Sequence, residues 1–238
     1  MQRKILTGLI LLMMIFVFAP VVSAECVEGD CVNGEGKFLY PDGREYEGAF
    51  RDGLPHGKGA FTYPDKKVQK GTMTYNYLTG GRYEGEVKNG KKDGEGVFYY
   101  TNGNMYVGTF RDDKRAGQGK LTFKKGAVYE GSFKDDKMDG KGVMVNEDGS
   151  RYEGGFKDGM PHGTGAFTFA DGSRYEGEVN KNRITGTGTM VFPDGRKYVG
   201  EFKEETPDGT GSMVYPDGKK QTGRFEKGAF VSEPAENK

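Results

Sequence analysis

A segment of 23 residues recurs along the chain, and this period constrains the fold more than any other feature of the sequence. Residues 150–177 read SRYEGGFKDGMPHGTGAFTFADGSRYEG and contain two copies of an Arg-Tyr-Glu-Gly signature. A fixed period of this length indicates one elongated array of stacked units rather than two ordinary domains. The signature tyrosines and the glycines two residues after them are Tyr46, Gly48, Tyr83, Gly85, Tyr106, Gly108, Tyr129, Gly131, Tyr152, Gly154, Tyr175, Gly177, Tyr198 and Gly200.

Within one unit, two runs of alternating residue types flank an Asp-Gly turn. Phe167 and Phe169 alternate with small residues before the turn, and Tyr175 and Val179 lie on one side of the run after it. A period of two predicts strands, and two such strands around Asp-Gly predict a hairpin. Several copies have proline before Asp-Gly, as at Pro193. Because proline has no N–H for a ladder, we predict a three-residue loop with glycine in the left-handed bulge position.

This loop fixes the predicted register, which places Phe167 opposite Tyr175 and Gly165 opposite Gly177, with the large side chains on one face. Burying each large apolar side chain contributes about 1.5–3 kcal/mol. One hairpin is not stable alone, so neighbouring hairpins must join. The sequence therefore predicts an all-β fold, an elongated twisted antiparallel sheet of consecutive hairpins. The glycine pair is expected to leave space for aromatic rings of adjacent hairpins.

Residues 1–24 do not share the repeat and have the pattern of a signal peptide. Arg3 and Lys4 precede an apolar run, and small residues end the segment at Ala24. We predict a signal helix that is cleaved after Ala24, which would direct the protein to the periplasm or the cell exterior. The alternative is an uncleaved membrane anchor formed by residues 5–22, whose length approaches the ~20 residues needed to span a bilayer.

Residues 25–33 contain the two cysteines of the chain, Cys26 and Cys31. In an exported protein, such a local pair is expected to form a disulfide that staples the first strand. A redox site would more typically have the spacing Cys-x-x-Cys. Two ligands alone do not make a zinc site.

The motif Tyr-Glu-Gly-x-Phe-(Lys/Arg)-Asp-Gly-x-Pro-His-Gly-x-Gly, at residues 46–59 and 152–165, resembles the repeat of the MORN (membrane occupation and recognition nexus) family. The resemblance covers residues 34–230 in about eight copies. It implies an elongated sheet of hairpins that serves as a scaffold, a dimerisation unit or a membrane tether. Only His56 and His162 keep the histidine of the motif.

Two regions depart from the repeat. Within residues 60–82 there are 14 extra residues, which we interpret as a shortened hairpin that interrupts the array. Residues 231–238 are predicted to form a polar, disordered tail.

No motif in the sequence predicts catalysis or a cofactor. His56 and His162 lie four repeats apart in the predicted array, so they cannot share a site. Each Asp-Gly turn brings one acid, which is too few for a calcium-binding repeat. The 35 basic and 35 acidic residues balance, which argues against a nucleic-acid footprint. We therefore predict no catalytic, metal-binding or cofactor-binding residues.

Lysine clusters alternate with acids in the links between hairpins, as at Lys91, Lys92, Lys114 and Arg115. This pattern favours a solvated charged edge over a lipid-binding patch, which would need basic residues without neutralisation. The leading hypothesis is a non-enzymatic scaffold that binds an unidentified protein or a second copy of itself. The alternatives are a tether at a membrane surface and a binding subunit of a separate enzyme.

Overall fold

The computed structural model describes residues 23–64 and 80–232, which form one antiparallel sheet of 18 strands. Each strand pairs with its neighbours in the chain. These residues contain no helix, and hence none long and apolar enough to cross a membrane. The strands are β1 (Glu25–Gly29), β2 (Glu35–Leu39), β3 (Glu45–Arg51), β4 (Leu54–Tyr63), β5 (Gly81–Lys88), β6 (Lys91–Tyr100), β7 (Met105–Arg111), β8 (Lys114–Thr122), β9 (Val128–Lys134), β10 (Lys137–Val145), β11 (Arg151–Lys157), β12 (Met160–Thr168), β13 (Arg174–Asn180), β14 (Arg183–Val191), β15 (Lys197–Lys203), β16 (Thr206–Val214), β17 (Lys220–Glu226) and β18 (Ala229–Ser232).

The predicted register is confirmed at the turn between β12 and β13. Phe167 pairs with Tyr175, and Gly165 pairs with Gly177. The N–H of Gly172 donates to the carbonyl of Phe169 at 3.0 Å, and Gly172 has a φ of 87°. This geometry is the predicted three-residue loop with a left-handed glycine at its end. We call the side of the sheet where these loops lie the long-turn edge.

The opposite side, which we call the short-turn edge, has two-residue loops. Between β11 and β12, Lys157 pairs directly with Met160, and the loop is Asp158-Gly159 with φ values of 51° and 89°. Two consecutive positive φ values define a type I′ turn, whose twist matches that of the flanking strands. Successive hairpins therefore join antiparallel, as predicted, through strands longer than the alternation suggested.

Each signature tyrosine is buried on one face of the sheet, which we call the inner face. In β11 the register shifts between Gly154 and Phe156, and the carbonyl of Gly155 accepts a hydrogen bond from the Tyr152 hydroxyl at 3.0 Å. The same bond, from each tyrosine to the carbonyl three residues later, recurs in all seven copies at 2.8–3.0 Å. A buried phenol needs such a partner, so the bulge and the tyrosine depend on each other.

The glycines of the repeat lie beneath these tyrosine rings. A Cβ atom at Gly165 would lie within 3.0 Å of the Tyr152 ring, which comes from the preceding hairpin as predicted. A Cβ atom at Gly177 would instead meet Tyr175 of its own strand and the backbone of β14. A side chain at either position would therefore displace a ring that the sheet holds in place.

Aromatic rings connect the repeats along the inner face. Phe156 contacts Tyr152 of its own strand at a centroid distance of 5.2 Å, and Tyr129 of the preceding repeat at 4.8 Å, both edge to face. Phe133 and Phe202 bridge their neighbouring tyrosines in the same way. Such pairs contribute about 0.5–1.5 kcal/mol beyond their buried area. The core is thus a row of rings on one face of a single sheet, with Val87 and Val179 in place of phenylalanine in two repeats.

The sheet continues without a break past the extra residues in 60–82, contrary to the expected interruption. β4 pairs with β5 through Phe61 and Tyr83 and through Gly59 and Gly85, which is the register of an ordinary hairpin. The predicted shortened hairpin itself lies in residues 65–79, outside the described residues.

The two ends of the sheet extend beyond the predicted array. β1 pairs with β2, so the cysteine-containing segment 25–33 adds a strand at the first edge. β18 pairs with β17 and reaches Ser232, two residues past the predicted end of the array. The predicted signal helix and the rest of the predicted tail lie outside the described residues.

Candidate functional site on the inner face

A row of half-buried aromatic side chains follows the long-turn edge on the inner face. Each member is the last aromatic residue before a turn at this edge, and each is partly buried against the core cluster. Asn146 occupies this position in one repeat, where its side-chain amide donates to the Ser150 hydroxyl at 2.9 Å. Every described element belongs to the sheet itself, so no second layer covers the row within residues 23–64 and 80–232. The members of this aromatic row are Tyr40, Tyr63, Tyr100, Phe123, Phe169, Phe192 and Tyr215.

Lys92 lies among the rings of the inner face and is only 5% exposed. Its ammonium group is 5.0 Å from the ring centre of Tyr63 and 5.2 Å from that of Phe98, which are cation–π distances. The ammonium also donates to the Tyr63 hydroxyl at 3.4 Å and lies 3.8 Å from a carboxylate oxygen of Asp113. Burial lowers the pKa of Lys92, and the charge of Asp113 partly opposes this shift.

Arg115 occupies the same position one repeat later. Its guanidinium lies 5.2 Å from the ring centre of Phe133 and 5.7 Å from that of Tyr106. Asp136 holds the group at an N–O distance of 3.3 Å. In the other repeats this position is apolar. These residues are Pro55, Met138, Pro161, Ile184 and Pro207, which pair with the aromatic or valine position of the preceding strand.

Lys92 and Arg115 therefore depart from the solvated edge that the sequence analysis predicted for them. They share a repeat position with proline, and each has an aspartate 21 residues later that meets it in space. A comparison of the copies at this position could have identified them. The neighbouring lysines do lie at the surface, where exposed ion pairs neutralise them. The pairs are Lys91–Asp112, Lys114–Asp135 and Lys137–Asp158, at 2.7–2.9 Å.

The signature residues singled out from the sequence are distributed along the whole sheet rather than gathered at one place. The tyrosines are buried and their hydroxyls are hydrogen-bonded, and the glycines lie against the tyrosine rings. His56 and His162 lie in β4 and β12, eight strands apart, and do not meet. Residues 23–64 and 80–232 contain no group of three His, Cys, Asp or Glu side chains placed to hold a metal ion. The signature thus builds the sheet.

The disulfide predicted between Cys26 and Cys31 is present, with a Cα–Cα distance of 5.9 Å. It joins β1 to the turn that precedes β2 and so fixes the first edge strand. Cys31 is buried against the start of the array. The disulfide therefore has a structural role, as the sequence analysis predicted.

Comparison with known proteins identifies the repeat. The family model described as the MORN repeat matches residues 33–43, 46–68, 83–105, 106–128, 129–151, 152–174, 175–195 and 198–220. No curated protein matches the sequence. Among solved structures, the chain is similar to the TCP domain of SAS-4 (dCPAP) in complex with a proline-rich motif of Ana2 (dSTIL) of Drosophila melanogaster. That alignment has 12% identity and a TM-score of 0.36, and covers 93% of this chain and 96% of the other. Because the eight matched segments account for well over half of the sequence, this chain belongs to the MORN repeat family.

Proposed function

We propose that this MORN-repeat protein is a non-enzymatic scaffold that binds an extended protein segment along its inner face in an exported compartment. The aromatic row is the observation that carries this proposal. Its side chains are half-buried and no described element covers them. Rigid aromatic groups that pack on one side only are typical anchors of protein interfaces, because they bury a large area at a small entropic cost.

The spacing of the row suits an extended segment. Successive members lie two strands apart, which corresponds to about 9.6 Å at the usual separation of strands. An extended chain covers this distance in roughly three residues. A bound segment that crosses the strands could therefore place about every third side chain against a ring. Asn146 divides the row, so the first four aromatic members would bind separately from the last three.

Two observations support an exported compartment. Residues 1–24 have the pattern of a signal peptide, and the Cys26–Cys31 disulfide is of the kind that persists in oxidising surroundings. Intact mass spectrometry of the protein isolated from its natural host tests both. We expect the mass of residues 25–238 less two hydrogen atoms. A mass that includes residues 1–24 would support the membrane-anchored alternative instead.

Chemical crosslinking followed by affinity capture of the full chain tests the scaffold proposal. The first variant, Phe123→Asn, introduces at one position of the row the residue that the chain already has at Asn146, one repeat later. The second variant, Val199→Lys, changes an exposed residue on the opposite face and is the matched control. We expect the wild type and Val199→Lys to capture one partner protein in a stoichiometric amount. Phe123→Asn should capture much less of this partner.

Absence of a stoichiometric partner, or equal capture by all three proteins, would contradict the proposal. The two alternatives predict other results. A membrane tether would pellet with anionic liposomes in a salt-dependent manner. The neutralised lysines of the short-turn edge favour no pelleting. A subunit of an enzyme would capture a protein with catalytic activity, and this activity would depend on the bound chain.

A further inference from the structure

The first part of the aromatic row is a connected surface of rings at the long-turn edge. The ring centre of Phe61 lies 6.3 Å from that of Tyr40 and 5.9 Å from that of Tyr63. The ring centre of Phe98 lies 5.7 Å from that of Tyr63 and 4.5 Å from that of Tyr100. The buried phenylalanines therefore hold the half-buried tyrosines in place. We call the first four members of the row the tyrosine segment, which consists of Tyr40, Tyr63, Tyr100 and Phe123.

Two hydroxyl groups of the tyrosine segment have a hydrogen atom available for a ligand. The hydroxyl oxygen of Tyr63 accepts from the ammonium group of Lys92 at 3.4 Å, so the hydroxyl hydrogen must point to another acceptor. Within residues 23–64 and 80–232, neither Tyr63 nor Tyr100 donates to another atom, while every buried side-chain nitrogen or oxygen there has a partner. The Tyr100 hydroxyl therefore reaches the surface. A ligand with acceptor groups complements both tyrosines.

The other surfaces of the sheet do not combine rings with such donors. Farther along the row, Phe169 and Phe192 have no hydroxyl, and the Tyr215 hydroxyl donates to the side-chain oxygen of Gln221. The face opposite the tyrosines, which we call the outer face, has one exposed aromatic residue within the described ranges, Tyr99. The tyrosine segment is thus distinct in its chemistry from the rest of the row.

The cations beside the tyrosine segment are neutralised by aspartates. The guanidinium group of Arg44 lies 4.7 Å from the ring centre of Tyr40 and is itself paired. Charge complementarity therefore favours an occupant without net charge over an acidic segment or an anionic headgroup. The ion pairs are Arg44–Asp42 at 2.8 Å, Lys92–Asp113 at 3.8 Å and Arg115–Asp136 at 3.3 Å.

The spacing of the rings matches one backbone conformation. Successive members of the row lie two strands apart, at about 9.6 Å. A polyproline II helix has about three residues per turn and a rise of ~3.1 Å per residue, so every third side chain points to the same side at ~9.3 Å. In a β-strand, by contrast, residues three apart point to opposite faces. Polyproline II has no internal hydrogen bonds, so its carbonyl groups are available to tyrosine hydroxyls.

We propose that the tyrosine segment binds an uncharged protein segment in the polyproline II conformation, with proline at every third position. This inference rests on the proposed scaffold function and names the kind of segment that the inner face selects. The proline rings pack against successive aromatic rings, and carbonyl groups between them accept from Tyr63 and Tyr100. Four rings span about 29 Å, which about ten residues cover. The preformed conformation of such a segment loses little entropy on an aromatic surface.

Fluorescence anisotropy with the full chain and a labelled oligoproline peptide of about twelve residues tests the proposal. We expect saturable binding with one peptide per chain and a dissociation constant of about 10–100 μM. The control is a labelled Gly-Ser peptide of the same length, which is a flexible coil. It has carbonyl groups but neither the rings nor the conformation, so it should not bind.

Variants of two adjacent residues on opposite faces locate the site. Tyr100→Phe removes one available donor and should raise the dissociation constant about two- to tenfold. Tyr100→Asn introduces the residue that interrupts the row at Asn146, and should raise it more than about tenfold. The matched controls are Tyr99→Phe and Tyr99→Asn on the outer face, which should leave the dissociation constant unchanged. Thermal melting of every variant checks that the sheet is intact.

Absence of oligoproline binding at about 1 mM overturns the proposal. So does equal binding of the Gly-Ser peptide, or an equal effect of the Tyr100 and Tyr99 variants. These results can be distinguished from failure of the scaffold proposal. A natural partner that the wild type captures and Phe123→Asn does not would support the scaffold even where oligoproline fails to bind, and only the polyproline II inference would then be wrong.

Discussion

Two groups of repeats along the inner face, one with proline and one with a cation at the same position, meet the same packing requirement with different residues. In β12 and β16, Pro161 and Pro207 follow the short turn and lie opposite Phe156 and Phe202 in the neighbouring strands. In β6 and β8 the same position is Lys92 or Arg115, whose long side chains lie over rings. A side chain thus lies beside the aromatic core at this position in every one of these repeats, but its identity varies.

The difference extends to the next turn. Lys92 and Arg115 have a backbone N–H, and in both repeats an aspartate of the following short turn accepts it at 2.9 Å. Proline has no N–H that needs a partner. After Pro55 and Pro207 the corresponding turn position is Gly90 or Gly228. Among the described repeats, aspartate therefore occupies this turn position only after Lys92 and Arg115, whose N–H groups it accepts.

Asp113 has a φ of 71° and Asp136 has a φ of 67°, in the region where glycine is favoured. A non-glycine residue there costs of order 1–2 kcal/mol. The hydrogen bond and the ion pair that each carboxylate makes must offset this cost. These aspartates are therefore partners of Lys92 and Arg115 rather than ordinary turn residues.

Substitution of the glycines beneath the tyrosines should have the largest effect, and the effect should be alike in distant repeats. Gly85→Val and Gly177→Val lie four repeats apart, and both would press a side chain against a tyrosine and the neighbouring backbone. We expect each to lose at least about 3 kcal/mol of unfolding free energy. Thr189→Val, on the outer face, should change it by less than about 0.5 kcal/mol. Melting of Gly177→Val within about two degrees of the wild type would contradict this account.

Replacing the Lys92 and Asp113 pair by proline and glycine should have an intermediate effect on stability. The effect should be small only when both residues are changed. Asp113→Ala should cost about 2–4 kcal/mol, because it leaves the buried ammonium and N–H of Lys92 without a carboxylate. The double variant Lys92→Pro/Asp113→Gly reproduces the Pro55 and Gly90 arrangement, so it should unfold within about 1 kcal/mol of the wild type. Chemical denaturation measures both. A double variant less stable than Asp113→Ala would show that the two types of repeat are not interchangeable.

The pH dependence of unfolding should separate the shared tyrosines from Lys92. Burial raises the pKa of Tyr46, Tyr129 and Tyr175 from 10.0 to about 12. The folded state then holds protons that the unfolded state has lost, so stability is fully present below pH 10 and falls as the pH rises toward 12. Thermal melting across this range measures the loss.

Lys92 should act in the opposite direction, because burial lowers its pKa from the ordinary value of 10.5. Just below that pH the unfolded state binds the proton more tightly, so stability rises with pH. The unfolding free energy of the wild type should therefore rise relative to that of Lys92→Met as the pH approaches 10.5. A constant difference between the two proteins over this range would contradict the burial of a charged Lys92.

The exposed ion pairs of the short-turn edge should have the smallest effect. Lys137 and Asp158 lie 2.7 Å apart, and both side chains are more than half exposed. Lys137→Ala should change the unfolding free energy by less than about 0.5 kcal/mol at low salt, and by nothing measurable at high salt. A loss comparable to that of Asp113→Ala would mean that the edge pairs, and not the buried ones, hold the repeats together.

The features that followed from the sequence are those that a single repeat defines. Alternation and the proline before Asp-Gly predicted the register of Phe167 on Tyr175 and the three-residue loop, and both are observed. The two-residue turns were missed, because their left-handed second residue is not always glycine, as at Asn182. Burial of Lys92 depends on contacts between repeats, which the local charge pattern does not reveal.

The central claim is that the signature residues hold the sheet, while residues that differ between copies bind the partner. The most direct measurement is crosslinked capture by Tyr175→Phe and Phe123→Asn in parallel. Tyr175→Phe removes the hydroxyl bonded to the carbonyl of Glu178 at 2.9 Å, so it should lower the melting temperature yet capture the partner in full. Phe123→Asn should melt closer to the wild type and lose the partner. Full capture by Phe123→Asn, with loss by a folded Tyr175→Phe, would contradict the account.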